Sequence, residues 1–252
     1  MNMSIHQFSI LAITLAMLTV SSCKKNDKAC TLARVTVSDG TSFPGDNVFY
    51  YHPDGRVKKI VYNNAIKDTV FYSADSIFIV TSDYRDTLIG TYSGVLNSNG
   101  DVISAIQNNI GSGGSVSSEI LIFEYNSDRQ ITKQTKTSGG INYVTNFTYV
   151  NGNRVSATEY SDTSLAATYF YKFLDTENKP GFATGTQVFY PYYGKGDKNL
   201  LSSFIKIENT DTSAFEFEHT LTSSKYLSKT RQTQIKPFTS SLYFVYSYTC
   251  EE

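Results

Sequence analysis

Residues 49–62 run Phe-Tyr-Tyr-His-Pro-Asp-Gly-Arg-Val-Lys-Lys-Ile-Val-Tyr, or FYYHPDGRVKKIVY. Side chains alternate across a strand, so Phe49 and Tyr51 share one face of an extended run. Between that run and the one from Val57 to Tyr62, Pro53-Asp54-Gly55 reverses the chain, because glycine supplies the positive φ a tight turn needs. The stretch reads as a β-hairpin. Its frame returns where Leu96 meets Asn97-Ser98-Asn99-Gly100 before Val102, and where Phe123-Glu124-Tyr125 meets Asn126-Ser127-Asp128 before Ile131. It returns again where Phe147-Thr148-Tyr149 meets Asn151-Gly152-Asn153 before Val155, and a weaker copy ends at Leu227. The intervals between the closing residues are 45, 29, 24 and 72, too uneven for a solenoid of fixed period.

Composition agrees with these hairpins. The 252 residues include 19 Tyr, 16 Phe and no Trp, and β-branched and aromatic side chains suit a pleated, half-buried surface. Aromatic pairs recur at i, i+2: Phe49/Tyr51, Phe123/Tyr125, Phe147/Tyr149, Tyr171/Phe173, Phe215/Phe217 and Tyr246/Tyr248. No window of a dozen residues after the first thirty carries helical periodicity. The expected fold is all-β, an antiparallel meander forming a single strongly curved sheet or half-barrel. Pro180-Gly181, Pro191, Gly194 and Gly196 interrupt the alternation, so residues 175–206 are expected to form an irregular connection. Gly111-Ser112-Gly113-Gly114-Ser115 is expected to be a long unpaired loop.

The first thirty residues give an address. Phe8 to Val20 is an uncharged apolar run of thirteen residues. As a helix it would cover only ~20 Å, which suits the apolar region of a signal peptide and not a membrane span. It leads into Val20-Ser21-Ser22-Cys23, which resembles a bacterial lipobox, although residues 1–6 carry no Lys or Arg. The organisation expected is a signal peptide at 1–22, lipidated Cys23 and tether at 23–30, and one β-meander domain at 31–252. With Cys23 acylated, Cys30 and Cys250 remain as an even pair, and an oxidising envelope favours a disulfide between them.

The chain also resembles, over roughly residues 30–250, a family of Bacteroidetes lipoproteins whose activity is not established. The resemblance rests on the lipobox, on HPDGRVKKI, SNGDVISAI and FTYVNGNRVSATEY, on Tyr171-Lys172-Phe173 with Asn178-Lys179-Pro180, and on the closing YFVYSYTC. YHPDGRVKKIVY is similar to a tyrosine–aspartate repeat. The family's domain is described as a porin-like, half-barrel β fold, so the resemblance implies a fold and an envelope location and no activity. Asp68-Thr69-Val70, Asp75-Ser76-Ile77 and Asp86-Thr87-Leu88 look like short O-glycosylation acceptors of such bacteria.

Parts for catalysis are few. Lys and Arg number 22 against 23 Asp and Glu, leaving no basic surplus for a nucleic-acid backbone. The sequence has no nucleophile elbow, Walker loop, zinc-protease helix or Cys-x-x-Cys, and neither a metal nor a cofactor is expected. In Phe215-Glu216-Phe217-Glu218-His219, alternation places Glu216 and Glu218 on one face, ~6.5–7 Å apart. That spacing admits an acid/base pair and equally a hydrated outer face. In Phe189-Tyr190-Pro191-Tyr192-Tyr193-Gly194, Pro and Gly oppose a regular strand, so Tyr190, Tyr192 and Tyr193 are candidate ligand-contact rings or a plug for the sheet.

The functional expectation is a non-enzymatic cell-envelope lipoprotein, a β-sheet scaffold that binds a protein or glycan partner. The alternative is a carrier holding a lipid or other apolar ligand in the concave face, and a third reading is a hydrolase centred on Glu216 and Glu218. Intact-mass analysis of membrane-extracted protein is expected to show a chain beginning at acylated Cys23. Thiol labelling of the denatured, unreduced protein should then find no free cysteine. Retention of Met1 would overturn the address, and two labelled thiols would overturn the bridge.

Overall fold

The computed structural model describes residues 30–38, 45–111, 113–178, 194–223, 226–237 and 239–250. The signal segment, Cys23, the tether up to residue 29, and Tyr190, Tyr192 and Tyr193 lie outside the described residues, as do the side chains of Cys30 and Cys250.

The described residues form sixteen strands: β1 (Cys30–Ser38), β2 (Gly45–Tyr51), β3 (Val57–Tyr62), β4 (Ile66–Tyr72), β5 (Ser76–Asp83), β6 (Leu88–Leu96), β7 (Val102–Ile110), β8 (Val116–Tyr125), β9 (Ile131–Ser138), β10 (Ile141–Val150), β11 (Asn153–Ser161), β12 (Ser164–Glu177), β13 (Asn199–Glu208), β14 (Asp211–Leu221), β15 (Leu227–Lys236) and β16 (Ser240–Cys250). Each pairs antiparallel with the next, and β16 lies beside β1, so the sheet is a closed barrel. The meander is as expected, whereas the half-barrel is corrected. Alternation is the same in an edge strand and an interior one, and closure joins the two strands farthest apart in sequence.

Antiparallel order sends every second turn to the same rim. The motif copies close at the starts of β3, β7, β9, β11 and β15, so all of them sit on one rim, called the lower rim. The uneven intervals correspond to four, two, two and four strands. The turns repeat a geometry as well as a sequence. His52 N donates to Arg56 O (2.8 Å), Asn97 N to Asp101 O (2.9 Å) and Asn126 N to Gln130 O (3.0 Å). The fourth residue has positive φ in each: Gly55 (82°), Gly100 (79°) and Arg129 (65°). Arg129 departs from the glycine pattern and makes a second use of its place. Its Nε and Nη2 donate to the two carboxylate oxygens of buried Asp101 at 2.9 and 2.5 Å, tying one motif to the next.

Two expectations about loops are corrected. The described residues Gly111 and Gly113–Ser115 close on each other, with Gly111 N donating to Ser115 O (2.8 Å) and Gly114 N to Gly111 O (3.0 Å). Gly113 and Gly114 have φ of 101° and 80°, so glycine here closes a hairpin instead of loosening a loop. The irregular connection is also shorter than 175–206, because β12 runs to Glu177 and β13 begins at Asn199. Leu200 and Leu201 are both buried beside a register break between Phe173 and Glu177, which explains their departure from alternation.

The core lies inside the barrel, toward the lower rim. Val35, Ile60, Val70, Ile77, Ile79, Val102, Leu121 and Ile131 pack together there, with Phe49 and Phe123. Ile77 and Val102 are fully buried. Gly94 faces them: a Cβ on it would lie 2.9 Å from Ile77 Cγ2 and 3.3 Å from Val102 Cγ1. Gly94→Ala is therefore expected to cost ~1–3 kcal/mol through overpacking, and Ile77→Ala ~2–5 kcal/mol through the cavity it leaves. Urea unfolding checks both, and a neutral Gly94→Ala would contradict this packing.

Candidate functional site

Cross-strand registers string the inward side chains into rows. One row runs Ile77–Gly94–Ala105–Leu121–Lys136–Tyr143–Ser161–Ser164. It starts in the packed core and ends at exposed Ser164 on the upper rim. Its chemistry passes from aliphatic to charged to hydroxyl. The part of the interior walled by β2–β8 is accordingly filled near the lower rim, whereas on β10–β14 the inward rings Tyr143, Tyr169, Tyr171, Phe204 and Phe215 remain half-buried beside small buried residues such as Ala157 and Ala167. At the upper rim the inward Ile66, Ser117, Ile141, Glu208 and Leu242 are exposed, so the lumen opens there.

The half-buried wall is built from rings. A second row runs Tyr171–Phe204–Phe215–Gln234 across β12–β15. Phe204 and Phe215 stack with centroids 4.5 Å apart, and Phe217 lies 6.0 Å from Phe204. Tyr169 and Tyr171 are parallel at 6.3 Å. Tyr171 and the pair Phe215/Phe217 come from the i, i+2 pairs of the sequence, whereas Phe204 and Tyr169 join them through register and closure.

Polar groups are set among the rings. Tyr169 OH donates to Glu159 Oε2 (3.1 Å), and Lys206 Nζ lies 5.8 Å from the Tyr169 ring centroid and 2.6 Å from Glu208. Burial pushes the Tyr169 phenol well above the usual range, and the Glu159 charge adds to that, so the phenol stays protonated and donates. Lys136 Nζ is 3.4 Å from Glu119 and 5.1 Å from the Tyr143 ring. Gln232 lies between Phe217 and Leu242 in its row. Chemically this wall can stack a flat or ring-shaped ligand face and answer its edges with donors and acceptors.

His219 ends the aromatic run, 6.4 Å from Phe217 and parallel to it. Its Nε2 is 2.7 Å from Leu201 O, which can only accept, so Nε2 carries the hydrogen. Nδ1, 2.9 Å from Thr230 Oγ1, then accepts from the hydroxyl. Glu216 and Glu218 point out of the barrel, away from this wall. Glu218 lies 3.5 Å from Arg231 and is largely exposed. His52, in its turn, sets its ring edge-on to Tyr72 at 6.2 Å.

A second hollow, of ≈ 480 Å³, lies at the lower rim and is lined by Asp128, Gln130, Glu177, Asn178, Asp197 and Lys198 among others. Both ends of the β12–β13 connection are fixed beside it: Asn178 N donates to Lys198 O (2.8 Å), and Lys195 N donates to Arg129 O (2.8 Å). Beneath it Arg154 is sandwiched 4.4 Å from the Tyr171 ring and 5.5 Å from Phe147, and its backbone N donates to Asp197 Oδ1 (2.7 Å). Burial raises the Asp197 carboxyl above its ordinary range, against the pull of Arg154. The expected contact rings Tyr190, Tyr192 and Tyr193 belong to this connection and lie outside the described residues. Lys136, Glu159 and Lys206 were not singled out by the sequence reading. Each sits at an inward parity position, but only the register shows which ring it meets.

A scan of protein-family models and a search of curated proteins give no match. Among solved structures, a porin-like protein from Bacteroides uniformis ATCC 8492 matches with a TM-score of 0.66 at 11% identity, covering 88% of this chain and 99% of that one. A porin-like protein from Bacteroides vulgatus ATCC 8482 matches with a TM-score of 0.62 at 13% identity and the same coverage of 88% and 99%. At such identity the likeness is one of fold.

Burial holds the His219 imidazole below its ordinary value near 6.5, and the Leu201 carbonyl opposes this only in part. The unfolded chain therefore takes up the proton first. Stability that is present above the unfolded value falls as pH drops through it toward the folded one. His219→Gln is expected to flatten this fall in urea midpoints between about pH 7.5 and pH 5. An unchanged slope would remove His219 as its source.

Proposed function

We propose that the protein is a non-enzymatic, lipid-anchored binding protein of the cell envelope whose lumen takes up a glycan. The anchor is acylated Cys23, in an outer membrane facing either the periplasm or the surface. The observation that carries the ligand class is the division of the interior. Its aliphatic half is self-filled, and its accessible half sets Tyr169, Tyr171, Phe204 and Phe215 beside Glu159, Lys206, Gln232 and Gln234. A sugar ring has a C–H face and a border of hydroxyls. Stacked aromatic rings suit the first, and carboxylate, ammonium and amide groups suit the second.

The alternative, an apolar-ligand carrier, needs aromatic rings left without a packing layer, and in the closed barrel Phe204, Phe215 and Phe217 pack on one another. The Cys30–Cys250 disulfide belongs to the same proposal. Its two strands are neighbours in the barrel, and the bond needs Cα atoms within ~4.4–6.8 Å.

Calorimetric titration with a panel of neutral and acidic oligosaccharides tests the reading. Binding by at least one is expected, with Tyr169→Ala and Gln232→Ala each weakening it at least ~tenfold while thermal stability stays close to that of the parent. Uptake of a fluorescent fatty acid, without binding of any sugar, would favour the carrier instead.

A further inference from the structure

We infer that the outer wall of β4–β8 is a docking surface for an anionic lipid bilayer. Outward residues there form two cross-strand rows, Phe71–Phe78–Ser93–Ile106–Ile120 and Ser76–Val95–Ser104–Ile122. Phe71 is 52% exposed, Phe78 42%, Val95 49%, Ile106 49% and Ile120 48%. The two phenylalanines face each other across the strands with centroids 6.4 Å apart, and still both are open to solvent. Neither row contains a charge. By contrast, the outward faces of β14 and β15 carry Glu216, Glu218, Lys229 and Arg231. A contiguous apolar patch of this kind, on the order of several hundred Å², marks an interaction surface.

Charge complementarity selects the occupant. Beside the patch, on the lower-rim side of β2 and β3, stand Lys58 and Lys59, with Arg56 next to them and ion-paired to Asp54 at 2.7 Å. The Lys59 Nζ lies 5.6 Å from the ring of Tyr50, itself 49% exposed. Apolar residues bordered by an amphipathic ring and basic side chains are the arrangement found where a protein meets lipid headgroups. Lys24, Lys25 and Lys28 add positive charge between Cys23 and β1. Six residues separate Cys23 from Cys30, and the seven Cα steps between them reach at most ~25 Å. β1 begins at the lower rim, so the anchor of the proposed function would hold that rim near the membrane. The tether argument rests on that reading, and the patch does not. Curvature also favours lipid: two convex walls meet along a narrow strip, whereas a fluid bilayer can cover five strands.

The chain from residue 24 onward keeps the whole barrel and core and carries no acyl group, so binding by it reports the wall alone. Flotation with vesicles of phosphatidylethanolamine and phosphatidylglycerol is expected to carry this protein upward, and pure phosphatidylcholine vesicles far less. Phe71→Ser with Phe78→Ser should weaken binding at least ~tenfold with an unchanged melting temperature. Lys58→Glu with Lys59→Glu should remove the preference for the anionic lipid, and gives a second reading if the first variant folds poorly. Absence of flotation by the parent, or flotation indifferent to both pairs of substitutions, would overturn the proposal. So would a parent dimer in sedimentation that the serine variant splits.

Discussion

A sheet that closes on itself must either pack the space it encloses or leave it wet. Sixteen strands enclose too wide a space for one layer of side chains to cross everywhere. This chain resolves the difficulty by dividing the interior. Branched aliphatics from β3–β8 meet in the lower part, where Ile77 and Val102 lose all contact with water. Elsewhere large rings extend inward and shelter charged groups that no apolar core could hold unpaired. The division fixes what each strand needs on its inward face and leaves the outward face to other demands.

Period-two alternation made the strands legible, and the turn chemistry made their connections legible, since Asp-Gly and Asn-Gly state a reversal in two residues. The faces were harder. Phe215 and Phe217 were separable from Glu216 and Glu218 by parity, but parity does not say which side is inside. The meeting of Glu159 with Tyr169 depends on the register between β11 and β12, which shifts near Tyr160. No local pattern announces such a shift. The glycines at 113 and 114 misled for a related reason, because the same residue loosens a loop or closes a turn according to what flanks it.

The charges inside the barrel have a common arrangement. Lys136, Arg154 and Lys206 each lie near a tyrosine ring and a carboxylate. Each cation therefore finds partial compensation from two kinds of group, which lowers the penalty of taking it out of bulk water. Arg154 shows the limit of the device: its Nε is buried with no hydrogen-bond partner, though the guanidinium is held between two rings. The rings thus hold cations in place as well as filling space.

The gathering of all motif turns on one rim bears on how such a chain can change in length. Gain or loss of a complete hairpin keeps every remaining strand in its direction and every remaining turn at its rim. The girth alters, and the seam between first and last strands can still form. Gain or loss of a single strand would bring those two alongside in parallel, with a hydrogen-bond pattern their residues are not placed to satisfy. Spacings of two and four strands between copies are what a lineage lengthening by whole hairpins would leave behind. Relatives built on the same plan should then differ in circumference by even numbers of strands, with their long insertions at the rim that carries the β12–β13 connection here.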